Sequence, residues 1–140
     1  MASPTPQATN VSDEFAANVT SHTVSLPADI SSGDLLVVAF GCHGVENITW
    51  PEGWTEIFNI TEAGGATGTL AAAYRQADGE EGASITVGTG NVQQSGHCSW
   101  RITGHENPAI QAPEASTGAT SASGGTPCLL YTSPSPRDRS

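Results

Sequence analysis

Cysteine stands beside histidine twice in this chain, at Cys42-His43 and at His97-Cys98. Thiolates and imidazoles hold zinc when four of them converge on a tetrahedron. Both pairs lie in segments that read as extended, where neighbouring residues point to opposite faces. Neither pair can chelate from one side, so no metal is expected and the histidines read as surface residues. The two thiols could instead be joined across the interior. Cys42 and Cys98 lie 56 residues apart with Trp54 between them, the layout of an inter-sheet disulfide packed on an indole. Gly96 occupies the position two before Cys98 where that layout carries a tyrosine. Two readings stay open for Cys42 and Cys98: a disulfide, or two buried thiols acting as small hydrophobes.

The carboxylates Asp34, Glu46, Glu52 and Glu56 sit near turn residues. Paired carboxylates could serve glycoside hydrolysis, and Glu52 with Glu56 is the pair to test. Carboxylates scattered through loops are more simply solvated. No Gly-x-Ser-x-Gly elbow is present. Gly88-Thr89-Gly90 is too short for a phosphate loop, and no helix follows it. No catalytic residue and no cofactor are expected. Trp50, Trp54, Tyr74 and Trp100 offer other chemistry, the stacking of an aromatic face on a sugar ring. Trp50 and Trp100 are expected to fill the core. Trp54, beside a turn, is the candidate ligand contact. Sequons begin at Asn10, Asn18, Asn47 and Asn59, and in a chain rich in Asn and Thr they read as chance.

The elements that must position these residues have a period of two. In His22-Thr23-Val24-Ser25-Leu26, Val24 and Leu26 share a face. Pro27 to Asp34 is a turn. Leu35 to Cys42 is an unbroken apolar run, which fits a central strand covered on both faces. Asn47–Trp50 and Trp54–Phe58 read as two short strands around the bend Pro51-Glu52-Gly53. Asn59 to Thr69 reads as a Gly/Thr-rich loop. Leu70 to Ala77 has the alanines of a helix, yet lacks a proper cap, and a strand is expected. Ser84–Thr89 and Gly96–Thr103 alternate, the latter with Cys98, Trp100 and Ile102 on one face. The fold class is therefore all-β, an antiparallel sandwich of jelly-roll-like character. Residues 1–17 are expected to form a flexible arm or edge strand, 18–110 the sandwich, and 111–127 a loop or linker.

Charge narrows the partners. The 140 residues include no lysine, and the net charge is −10. Phosphate backbones are bound by releasing counterions with Lys and Arg, so nucleic acid is excluded as a partner. Docking on an anionic bilayer is excluded for the same reason. No apolar stretch reaches 18 residues, and no membrane insertion is expected. Met1-Ala2-Ser3-Pro4-Thr5-Pro6 lacks the basic and apolar regions of a secretory signal.

Two stretches carry resemblances. Residues 128–140, beginning Cys128-Leu129-Leu130-Tyr131-Thr132-Ser133-Pro134, resemble a translated sequencing-library adapter. That resemblance implies a native chain running on beyond Pro127 and a sandwich truncated at its C-terminal end. Ser21-His22-Thr23-Val24-Ser25-Leu26-Pro27, Gly33-Asp34-Leu35-Leu36-Val37, Thr49-Trp50-Pro51-Glu52-Gly53-Trp54-Thr55-Glu56, Ala73-Tyr74-Arg75-Gln76-Ala77-Asp78-Gly79 and Glu81-Gly82-Ala83-Ser84-Ile85-Thr86-Val87 form the second set. Over Ser21–Ile110 the chain resembles a group of uncharacterised phage and environmental viral proteins. The resemblance implies a β-sandwich of a virion or its tail, and transfers no catalytic residue. The expected function is a non-enzymatic structural or adhesive module of a virus particle, at its surface or otherwise extracellular. Its expected partners are other virion proteins or host-surface glycans, with oligomerisation allowed. The rivals are a carbohydrate-binding adhesin domain of a bacterial surface protein and, behind it, a glycan-active enzyme.

Overall fold

The computed structural model of the chain describes residues 3–12, 18–63 and 67–115. Seven strands lie within them: β1 (Thr5–Val11), β2 (Val19–Ser25), β3 (Leu35–His43), β4 (Thr55–Ala63), β5 (Thr67–Gln76), β6 (Ser84–Gln93) and β7 (Ser95–Thr103). One sheet has five strands in the order β1-β7-β3-β5-β4, and the other pairs β2 with β6. Every pairing is antiparallel. The expected all-β antiparallel sandwich is the fold, and the N-terminal residues supply an edge strand. The expected adapter-like tail, the linker beyond Ala115 and residues 13–17 lie outside the described residues.

The period of two builds the core. On β3, Leu36, Val38, Phe40 and Cys42 face the smaller sheet, where they meet Val24 of β2, Leu26 just after it and Val87 of β6. Leu36, Val38 and Phe40 are fully buried, and each such side chain contributes about 1.5–3 kcal/mol through the water it sheds. Ala71 and Ala73 of β5 lie opposite Phe40 and Val38 in the same layer. Their small size leaves room for the phenyl ring, which is why the alanine run serves as a strand here.

The entry to β3 is locked by one side chain. The Asp34 carboxylate accepts the Ser31 N–H at 2.9 Å and an Arg101 guanidinium N–H at 3.4 Å. Gly33, at φ +94°, turns the chain so that its N–H reaches the carbonyl of Ala77. Only glycine adopts that backbone without strain.

Three details differ from the sequence reading. Residues 59–69 were expected as a loop, but β4 and β5 pair from Asn59↔Ala71 out to Ala63↔Thr67. Ile60, Thr61, Thr67 and Thr69 are β-branched and suit an extended hairpin, whatever the glycines suggest. Asn47–Trp50 makes no strand; Thr49 alone bridges Gly88 of β6. And β3, although central, is covered fully on one face only: Val37 and Ala39 on the other are half-buried.

Candidate docking face

The register of the large sheet sorts its outward residues into rows. Leu35 lies opposite Ile102, and Ile102 opposite Pro6. Val37 lies between Trp100 and Tyr74. Ala39 lies between Cys98 and Ala72, and Ala72 faces Phe58. Directly paired residues share a face of the sheet, so the rows join into one apolar field across all five strands. Five strands set about 4.8 Å apart make it roughly 20 Å wide. Antiparallel sheets with one face in water alternate apolar with polar residues; this sheet turns apolar side chains both ways.

The middle of the field is a trough of about 290 Å³. Its floor is Leu35, Val37 and Ala39 of β3 with Ala72, Trp100 and Ile102. Ile57 and Phe58 rise along one side at a β-bulge, where the register shifts between Glu56 and Phe58. A bulge sets two residues against one and turns the extra side chain out of line, which lets both reach the trough. Pro4 and Pro6 border it by β1, and Pro113, Glu114 and Ala115 close the rest after the chain has left β7. Among the described residues Glu114 is the only charged one in the lining.

No family model, curated protein or solved structure matches this chain.

The residues singled out from sequence are dispersed. Cys42 and Cys98 are free thiols. They lie on adjacent strands of one sheet, with Cys42 in the core and Cys98 opposite Ala39 on the outer face. A disulfide between them is therefore ruled out by geometry, and of the two open readings only that of buried thiols applies, to Cys42. Burial pushes the Cys42 thiol up, with the charge of Glu46 adding to it. Trp50 and Trp54 both pack, half-buried, against the core. The Trp50 indole N–H donates to the Glu56 carboxylate at 2.9 Å, and Glu52 gives its backbone carbonyl to Arg75. Trp100, expected in the core, stands on the opposite face in the trough; the alternation of β7 was legible, but which parity pointed outward was not. Among the described residues no three His, Cys, Asp or Glu side chains form a group that could hold a metal.

Two polar clusters were not anticipated. Glu46 is buried and accepts the N–H of Asn91 at 3.0 Å, its amide at 3.2 Å and the Gln93 amide at 2.6 Å. These bonds, that from Gln93 foremost, hold its carboxyl below the usual range against the opposing effect of burial. The cluster ties the loop after β3 to the end of β6. Between the sheets, His22 Nδ1 lies 2.7 Å from Ser95 Oγ, and Nε2 lies 3.1 Å from Thr89 Oγ1. The Thr89 hydroxyl donates to the carbonyl of Asn91. Its oxygen is thus left to accept from His22 Nε2–H, and Nδ1 accepts from Ser95. A serine bonded to a histidine is the pairing of a nucleophile with its base. Here His22 is 1% exposed and Ser95 3%, so the pair fastens one sheet to the other and no substrate reaches it. The signal was present, because His22 shares the parity of Val24 and Leu26.

Proposed function

We propose that this chain is a non-catalytic structural module of a virus particle, and that it joins the particle through the outer face of its five-stranded sheet. The observation that carries the assembly half is the continuous apolar field from Pro6 across Trp100 and Val37 to Phe58. A concave apolar patch on an outer sheet face marks an interaction surface more often than the scattered apolar residues of an ordinary surface. The rest of the chain is strongly acidic and resists self-association by repulsion. The viral half rests on the resemblance carried by Ser21–Ile110. The glycan reading has less behind it, since Trp54 packs against the core and Trp50 is bonded to Glu56.

Two measurements test the proposal. Peptides from residues 18–110 are expected in density-purified particles from the material that carries this sequence, and their confinement to the soluble fraction refutes the viral half. For the assembly half, Ala39→Glu places a charge in the middle of the field while leaving the core face of β3 intact. The variant is expected to fold, with an unchanged circular dichroism spectrum, and to be missing from particles. Incorporation at the wild-type level refutes the assembly half.

A further inference from the structure

We propose that the edge of β4 takes up an extended segment of another protein, one in which apolar residues alternate with lysine or arginine. The inference goes beyond the assembly reading: it concerns the end of the large sheet and not its outer face, and it holds whether or not the chain belongs to a particle. Among the described residues the two sheets end at β1, β4, β2 and β6. Edge strands present backbone N–H and C=O groups that another strand can pair with, and folds block them with proline, bulges or covering segments. On β1, Pro6 lacks an N–H and a bulge follows it. On β6, Gly88 exchanges both its bonds with Thr49, and Pro51 has no N–H with which to continue that pairing. On β2, the Ser25 N–H donates to His97 and its carbonyl accepts from Ser99. Beyond its bulge, β4 has no such guard. From Phe58 to Ala63 its register with β5 is unbroken, and the strand contains neither proline nor lysine. Among the described residues no backbone hydrogen bond of Phe58 to Thr61 leaves that pairing. Every second residue of such a strand turns its N–H and C=O away from its partner.

The side chains of β4 define the occupant. Phe58 and Ile60 lie opposite Ala72 and Leu70 on the outer face, and both are half-buried. Glu56, Asn59 and Thr61 share the opposite parity and are exposed. Directly paired residues lie on one face, so a strand added to β4 sets alternate residues beside Phe58 and Ile60, where apolar side chains extend the field. The residues between them stand beside Asn59 and Thr61, near Glu56. Charge decides what those are. The arginines among the described residues, Arg75 and Arg101, are each already paired with a carboxylate. The chain has no lysine and a net charge of −10. A cationic strand is drawn in, and one bearing carboxylates is turned away. A second copy is the weaker occupant for that reason, since it would set one acidic β4 against another between chains that repel.

The probe is a capped peptide as long as β4 in which lysine alternates with valine, added to the 140-residue protein. Binding is followed by the fluorescence anisotropy of a dye on the peptide and by amide hydrogen exchange of the protein. Saturable binding is expected, with slowed exchange centred on Phe58–Ala63. The peptide with glutamate in place of lysine is expected to bind about tenfold more weakly or worse. Asn59→Lys with Thr61→Lys, both at exposed positions of the edge, is expected to weaken the lysine peptide about tenfold. Thr23→Lys with Ser32→Lys adds the same charge elsewhere and should change little. Unchanged circular dichroism shows that each variant is folded, and if the edge variant unfolds, the exchange map of the unsubstituted chain decides alone. No binding at about millimolar peptide overturns the proposal. So does equal binding of a peptide alternating lysine with glycine, without protection of β4, which is charge attraction only. Protection of β4 in the free protein that grows with protein concentration also overturns it, by identifying a second copy as the occupant. Protection of Val37 and Trp100 without β4 does the same, by moving the ligand to the outer face. The Ala39→Glu test reads incorporation into particles, so either test can fail without the other.

Discussion

Ser95 carries a bond that nothing nearby can replace. Its hydroxyl is the donor to His22 Nδ1, and both residues are cut off from water. Removing the hydroxyl leaves a buried lone pair without a partner, which costs about 1–3 kcal/mol. Ser95→Ala is therefore expected to lower the free energy of unfolding in urea by that much. Ser95→Thr, which keeps the hydroxyl, should lose less unless its methyl group collides. Equal stability of Ser95→Ala and wild type, measured by urea unfolding followed through tryptophan emission, would remove His22 from its role as a fastener. The ring also meets Phe40 edge to face, with centroids 5.2 Å apart, so the same imidazole links β2 to β3 as well. Little of this could be read beforehand. A histidine at an apolar parity is visible in a sequence, but a serine 73 positions away that bonds to it is found only once both sheets are assembled.

Among the elements, the turn between β5 and β6 shows how a side chain can close two bends at once. Arg75 on β5 bonds Asp78 at 2.6 Å and Glu81 at 3.3 Å, and reaches across to the carbonyl of Glu52 in the turn before β4. Gly53 permits this approach: it sits at φ +87°, and a methyl group added there would strike the guanidinium. Left-handed backbone costs an L-residue about 1–2 kcal/mol. Gly53→Ala is expected to lose at least that, seen as a drop in melting temperature, and Arg75→Ala in the same background should make the loss smaller by removing the collision. Additive losses would mean that the two turns do not communicate. The Pro-Glu-Gly bend was legible because its residue types set backbone angles by themselves. So were β2, β3 and β7, whose apolar residues recur every second position. The β4–β5 hairpin was not, because Gly and Thr in a row look like a loop until a partner strand supplies their hydrogen bonds. The outer apolar face was half legible: the run from Leu35 to Cys42 called for cover on both sides, but only the register shows that Trp100, Tyr74 and Phe58 extend its outward half into a field.

At the scale of the whole molecule, the two sheets are held by histidines placed in opposite senses. His22, on the small sheet, bonds Ser95 of the large one, and His97, on the large sheet, accepts the Ser25 N–H of the small one at 3.2 Å. Both must be neutral to do so: His97 Nε2 has to offer a lone pair, and a charged His22 would sit without solvent. Burial lowers both below the ordinary 6.5, in His22 against a smaller opposing effect from a backbone bond at Val19. The unfolded chain therefore takes up protons near pH 6.5 while the folded chain still refuses them. Stability is complete above that value and declines as the pH falls through it toward the depressed folded values. The lowered carboxyls of Glu46 and Asp78 start from 4.5 and 3.8, so what they contribute is lost only in more acid solution. Between about pH 7.5 and 5.5 His22 and His97 contribute a slope of this sign. The urea midpoint is expected to fall over that interval, and to fall less in His97→Gln, whose amide oxygen can accept the Ser25 bond without titrating. A midpoint that stays level from neutral to mildly acid solution would show that neither histidine is held neutral by the fold.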